Sequence, residues 1–281
     1  MDHIQYNLRY ASHPDDVKHY DTQRLRNEFL VQNLFQADRI NLTYTDYDRF
    51  IVGGAFPVKK ELKLDSIDPL KAPFFLHRRE LGIINIGGKS IIKADGNTYE
   101  LDNKEALYLG QGTNEVSFAS VDEKTPAKLY INSAPAHKAF PSKKVSLADA
   151  EAVEAGSLTS SNARIINKLL VNSVVETCQL QMGMTELKEG SVWNTMPAHT
   201  HGRRMEAYFY FDVAESQSVC HFMGEPQETR HIWVQNEEAV ISPTWSIHAG
   251  SGTGKYTFIW GMGGENLDYG DMDVVQPYEL K

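Results

Sequence analysis

His199 and His201 stand one residue apart, Glu206 follows five positions after His201, and His248 comes from a later segment that begins Pro243-Thr-Trp-Ser-Ile. On a β-strand, residues two apart face the same side, so His199 and His201 project together. Glu206 has the opposite parity and cannot share their face on one unbroken strand. Gly202 lies between them, where a tight turn would start a return strand and set Glu206 opposite the two rings. His248 then closes the set from a third strand. Three imidazoles and one carboxylate, with room for solvent, suit a divalent site for zinc, or for iron, manganese or nickel. His-x-His alone is an ordinary surface pattern in a β-protein; Glu206 and His248 turn it into a candidate site.

Such a set needs strands to hold it, and the chain supplies them. Leu81–Ile86, Ala207–Phe211, Ala239–Ser242 and Tyr256–Trp260 are short runs rich in β-branched and aromatic residues, which favour strands over helices. Asp95-Gly96-Asn97 between two such runs reads as a hairpin turn. Thr22–Leu34 and Leu147–Ala155 are the helix candidates. The fold class expected is all-β, with a few short helices.

The chain also reads as two copies of one unit. Arg78-Arg79-Glu80 precedes one apolar strand and Arg203-Arg204-Met205-Glu206 another; Asn103–Leu107 matches Asn236–Val240, and Lys128–Ile131 matches Lys255–Phe258. The expected organisation is a first barrel over residues 21–140, a polar linker over 141–162 and a second barrel over 163–273. In the first copy Glu80 aligns with Glu206, but Phe75 and His77 replace the paired histidines and Glu115 falls opposite His248. No metal is expected there.

With 28 Lys plus Arg against 37 Asp plus Glu, the 281-residue chain carries a net charge of −9, which argues against nucleic-acid binding through a basic face. No apolar run is long enough for a membrane helix, and no signal peptide is apparent. Cys178 and Cys220 are isolated, which argues against a disulfide framework or a Cys-rich metal site. A cytoplasmic protein is expected. An anionic ligand would need local positive charge, for which Arg203, Arg204, Arg230 and Lys255 are candidates. Tyr208 and Tyr210 share the parity of Glu206 and should face the same interior as core or pocket wall. His221 and His231 are further candidates for that wall.

The His-x-His…Glu…His pattern resembles the cupin superfamily, and the doubled unit a bicupin. The pattern departs from the usual motifs in lacking a glycine before the first histidine and in having Trp245 for a glycine between Pro243 and His248. Longer stretches are more specific. Asp21–Leu30, Ile51–Gly54, Arg78–Gly88, Glu176–Leu180, Trp193–Pro197, Gln227–His231, Ser242–His248 and Phe258–Met262 all resemble the 5-keto-4-deoxyuronate isomerase family, also called 4-deoxy-L-threo-5-hexosulose-uronate ketol-isomerases. The resemblance runs from about residue 20 to about residue 273. It implies one zinc per subunit on His199, His201, Glu206 and His248, a small anionic keto-uronate substrate, and a homo-oligomer, a hexamer. The implied reaction in pectin and uronate breakdown gives 3-deoxy-D-glycero-2,5-hexodiulosonate through an enediol. Its proton carrier stays open between metal-bound hydroxide, His221, His231 and a pocket tyrosine. The rival readings are 5-deoxyglucuronate isomerase, a metal-dependent cupin dioxygenase and a sugar-binding bicupin without catalysis.

Overall fold

The computed structural model describes residues 3–265 and 267–281. Each half of the chain builds a seven-stranded sheet and a four-stranded one. The first large sheet runs Ile4–Arg9, Arg39–Thr45, Ile51–Phe56, Leu129–Pro135, Arg79–Asn85, Ala106–Leu109, Lys143–Val145. The second runs Glu151–Ala155, Arg164–Leu170, Gln181–Leu187, Thr257–Gly264, Arg204–Phe211, Glu238–Ser242, Leu30–Val31. The two orders correspond over their five central strands, so the internal duplication is present in the topology; at one edge they differ, since Ile4–Arg9 pairs parallel with its neighbour and Glu151–Ala155 antiparallel. The predicted hairpin is there too: Asp95 and Gly96, both at positive φ, join Ser90–Ala94 to Asn97–Leu101, as a two-residue turn matched to strand twist requires.

Alternation sorts side chains into three cores. Along Arg204–Phe211, Met205, Ala207, Phe209 and Phe211 face a cluster shared by the two large sheets, while Tyr208 and Tyr210 face the interior of the second barrel. Along Arg79–Asn85, Ile84 faces the shared cluster and Leu81 and Ile83 the interior of the first. The sheets approach closely at Gly82, where a Cβ would stand 2.3 Å from the Met182 sulfur. The first interior is closed by Leu81, Ile83, Leu107, Phe118 and Ile131, each fully buried. The second is walled by larger aromatics that leave a cavity.

Three sequence expectations change. The helix ends earlier than expected, at Thr22–Phe29; it starts at Asp21, whose carboxylate accepts from the Arg24 amide, and Leu30–Val31 then extends to pair with Val240 and Ala239. This segment, assigned to the first unit, completes the second sheet, while Lys143–Val145 from the expected linker completes the first. Leu147–Ala155 is not a helix: Glu151–Ala155 is a strand paired antiparallel with Arg164–Lys168 and fastened by a Lys168–Glu151 ion pair. Its helical propensity was a weak preference, which an available sheet edge outweighs.

The alignment of Glu80 with Glu206 also fails, by one residue. Glu80 pairs with Ala134 and Leu81 with Ser133 and Leu109, so Leu81 takes the inward place that Glu206 holds between Met262 and Ser242. Met205 is therefore the counterpart of Glu80, with Arg204 the counterpart of Arg79; matching the two glutamates is off by one residue, and a shift of one reverses the face. Glu80 therefore lies at the junction of the two halves, where it accepts hydrogen bonds from the amides of Cys178, Gln179 and Leu180 and from the Tyr108 hydroxyl.

Candidate metal centre and active site

The strand Ala198–Thr200 pairs with Asp273–Val275 near the C-terminus rather than with Arg204–Phe211. It carries His199, and His201 follows at its end. Gly202 and Arg203 form the turn, and Glu206 returns on Arg204–Phe211. His248 lies just before Ala249–Gly252 of the smaller sheet. One ligand atom from each of these four residues falls within 4.8 Å of the others, and among the described residues they are the group found with this arrangement.

Their contacts suit a cation. The Glu206 carboxylate lies 3.0 Å from His201 Nε2 and 2.8 Å from His248 Nε2, and His199 Nε2 is 2.9 Å from His248 Nε2. His201 Nδ1 is 2.8 Å from the Asp271 carbonyl, which only accepts, so the ring hydrogen belongs on Nδ1 and the Nε2 lone pair faces Glu206. A backbone carbonyl fixing the tautomer of a ligating imidazole is the usual arrangement behind a metal. Burial, with His248 next to it, pushes His199 down to about 2, so it stays neutral. Burial opposes ionisation of Glu206, yet the electrostatic pull of His248 and of His201 outweighs it and holds the carboxyl well below its usual range. A neutral imidazole at His199 and an ionised carboxylate at Glu206 are ligand states that a divalent cation needs.

The cluster opens into a cavity of about 320 Å³, within the range of small-molecule sites. Tyr208 is on its wall, with its hydroxyl 2.8 Å from Thr195 Oγ1 and its ring against His248. Burial raises the Tyr208 phenol well above its ordinary value, so it remains a donor. Trp260 lies across Gly183, where a Cβ would come within 2.1 Å of the indole. Met262 and Phe258 complete the apolar side.

The remaining sequence candidates divide. Arg204 lines the cavity, but its guanidinium donates to the carbonyls of Asp268, Tyr269 and Asp271, tying the C-terminal segment over the site. Arg203 points outward, exposed and paired with Glu265. Tyr210 lies deeper than Tyr208, with its hydroxyl 2.7 Å from His221 Nδ1. His221 is fully buried behind it and His231 is exposed on a strand of the smaller sheet; neither lines the cavity. Arg230 pairs with Glu228 and Lys255 with Glu189, both outside it. Sequence reasoning missed Arg164, Tyr269 and Met272, which line the cavity from distant segments. No local pattern joins these residues to the histidines.

A model of the KduI/IolB family matches residues 30–275. A curated 4-deoxy-L-threo-5-hexosulose-uronate ketol-isomerase from Formosa agariphila is 62% identical over 277 residues, spanning 99% of each chain. An IolB-like protein from Salmonella typhimurium LT2 superposes with a TM-score of 0.65 at 15% identity, covering 82% of this chain and 89% of that one. Oxalate decarboxylase from Bacillus subtilis does so with a TM-score of 0.55 at 9% identity, covering 80% and 71%. These two likenesses show the fold alone, a tandem cupin. With the family match across most of its length and a relative of this identity, the chain belongs to the KduI/IolB family.

Proposed function

We propose that this protein is a ketol-isomerase that converts 4-deoxy-L-threo-5-hexosulose uronate to 3-deoxy-D-glycero-2,5-hexodiulosonate in pectin and uronate breakdown. The observation that carries the reading is the convergence of His199, His201, Glu206 and His248 at a cavity whose wall includes the first three, in a chain of this family. Family membership alone also admits 5-deoxyglucuronate isomerase; near full-length identity to a named ketol-isomerase favours the hexosulose uronate.

The reaction takes a proton from the hydroxyl-bearing carbon beside the aldehyde and returns one to the aldehyde carbon, so charge develops on the enediolate oxygens. We assign the four residues to a divalent cation, zinc by family resemblance, which supplies Lewis-acid stabilisation of that charge, worth several kcal/mol. The protein's own groups do the rest. Tyr208 Oη, held by Thr195, is placed to donate a hydrogen bond to a substrate oxygen and to hold a proton there. Trp260, Met262 and Phe258 keep water from the reacting carbons. The carbonyls of Asp268, Tyr269 and Asp271, held by Arg204 and His201, keep the C-terminal segment over the site.

The same resemblance leads us to propose a cytoplasmic homohexamer. No helix in the described residues is long and apolar enough to cross a membrane. The edge strand Ile4–Arg9, followed by Tyr10, exposes Tyr6, Leu8 and Tyr10, a surface that monomers rarely leave unpaired.

Two measurements check this reading. Elemental analysis should give about one divalent ion per chain, with His248→Ala losing most of it and His77→Ala losing none; two ions per chain would sink the one-site assignment. The purified protein should convert the hexosulose uronate at the same rate under nitrogen as in air. Turnover that stops without oxygen would transfer the same ligands to the dioxygenase reading.

A further inference from the structure

The substrate of the proposed reaction has its aldehyde at one end of a six-carbon chain and its carboxylate at the other. Chemistry at the aldehyde end therefore needs a cation that lines the same cavity but stands away from Glu206 and the histidines. Arg204 does not meet this requirement. Its Nε is 3.3 Å from His201 Nδ1, beside the cluster, and its Nη atoms are spent on backbone carbonyls.

Arg164 meets it. It is the first residue of the strand Arg164–Leu170 and lies on the cavity wall. Its strand is separated from that of Glu206 by two others. The two residues are also offset along the sheet: Glu206 aligns through Met262 with Gln181, whereas Arg164 pairs with Leu187. Between them the cavity is lined by Thr185, Phe258 and Trp260. The Arg164 guanidinium is half-buried and donates through Nη1 to the Asn162 carbonyl; among the described residues no carboxylate pairs with it. Burial lowers its proton affinity, and the ionisable groups acting on it are the phenols of Tyr208, Tyr269 and Tyr256. An acidic protein has here left a partly desolvated guanidinium facing a cavity without a counter-ion.

We propose that Arg164 binds the substrate carboxylate and so sets which end of the six-carbon chain reaches His199, His201, Glu206 and His248. This rests on the isomerase reading. A guanidinium holds a carboxylate through paired hydrogen bonds in fixed geometry, which orients as well as attracts.

Steady-state kinetics of Arg164→Gln and Arg164→Lys test it, with an uncharged analogue bearing a hydroxymethyl group in place of the carboxylate as second substrate. Arg164→Gln should raise KM for the uronate by about tenfold to a hundredfold, with metal content and melting temperature unchanged, and Arg164→Lys should recover part of the loss. The analogue should bind the wild type weakly and lose nothing further in Arg164→Gln. Equal losses on both substrates would mark a merely structural role and overturn the proposal, as would an unchanged KM for the uronate. A wild type that leaves the uronate unconverted overturns both readings; one that converts it while Arg164→Gln keeps its KM overturns the carboxylate anchor alone.

Discussion

Glu206→Gln should abolish tight metal retention and lower isomerase activity by about 10³-fold or more, equivalent to about 4 kcal/mol of lost transition-state stabilisation. Glu206 is the only anion of the cluster, it is buried, and two imidazole Nε2 atoms face its carboxylate within 3.0 Å. An amide of the same shape keeps the packing and removes the charge that makes a cation welcome. The effect on stability separates this from general damage. Without metal, the neighbouring imidazoles already outweigh the desolvation of the ionised carboxylate and hold its pKa low, a net stabilisation at neutral pH, so the metal-free variant should melt modestly lower than the metal-free wild type. Added zinc should raise the melting temperature of the wild type, because a ligand that binds only the folded state stabilises it by mass action, and should leave Glu206→Gln unmoved. A variant that keeps full metal and full turnover would remove Glu206 from the site.

The grouping of the four candidate ligands was legible because its signal is local. His199 and His201 share parity, Gly202 allows the reversal, and Glu206 then has to face them; His248 needed only its chemical type. Parity put Tyr208 and Tyr210 in the same interior but could not tell that Tyr208 reaches the cavity wall while Tyr210 lies behind it, against His221. What sequence reading missed depends on which strand lies beside which. Arg203 and Arg204 look equivalent as neighbours, but alternation sends one to solvent against Glu265 and the other inward. Arg164 and Tyr269 reach the cavity only through the order of the second large sheet and the path of the C-terminal segment. The exchange of Leu30–Val31 and Lys143–Val145 between the halves is a matter of sheet edges, which no composition shift marks. Glu80 is the sharpest case: matching it to Glu206 is wrong by one position, its true counterpart is Met205, and one position is enough to put it on the other face.

That displaced carboxylate should prove one of the largest single contributors to stability. Glu80 is completely buried, and its two oxygens accept the amides of Cys178, Gln179 and Leu180 at 2.7–2.8 Å and the Tyr108 hydroxyl at 2.8 Å. All three amides come from the other half of the chain, immediately before the strand Gln181–Leu187 that brings Thr185 to the cavity beside the histidines. Leaving a buried donor unsatisfied costs about 1–3 kcal/mol. Glu80→Ala strands three such donors, and Glu80→Gln sets an amide NH₂ against at least one of them. The expected loss is about 3–5 kcal/mol for Glu80→Gln, and a melting temperature lower by about 10 °C for a chain of this size. Tyr108→Phe removes one bond and should cost much less alone. Combined with Glu80→Gln it should cost almost nothing more, because its partner is already altered. If Glu80→Gln melts within about 2 °C of the wild type, the junction is held by the apolar contacts around Gly82 and Met182 rather than by this carboxylate. If Tyr108→Phe adds its full cost in the double variant, the two side chains act independently despite their contact.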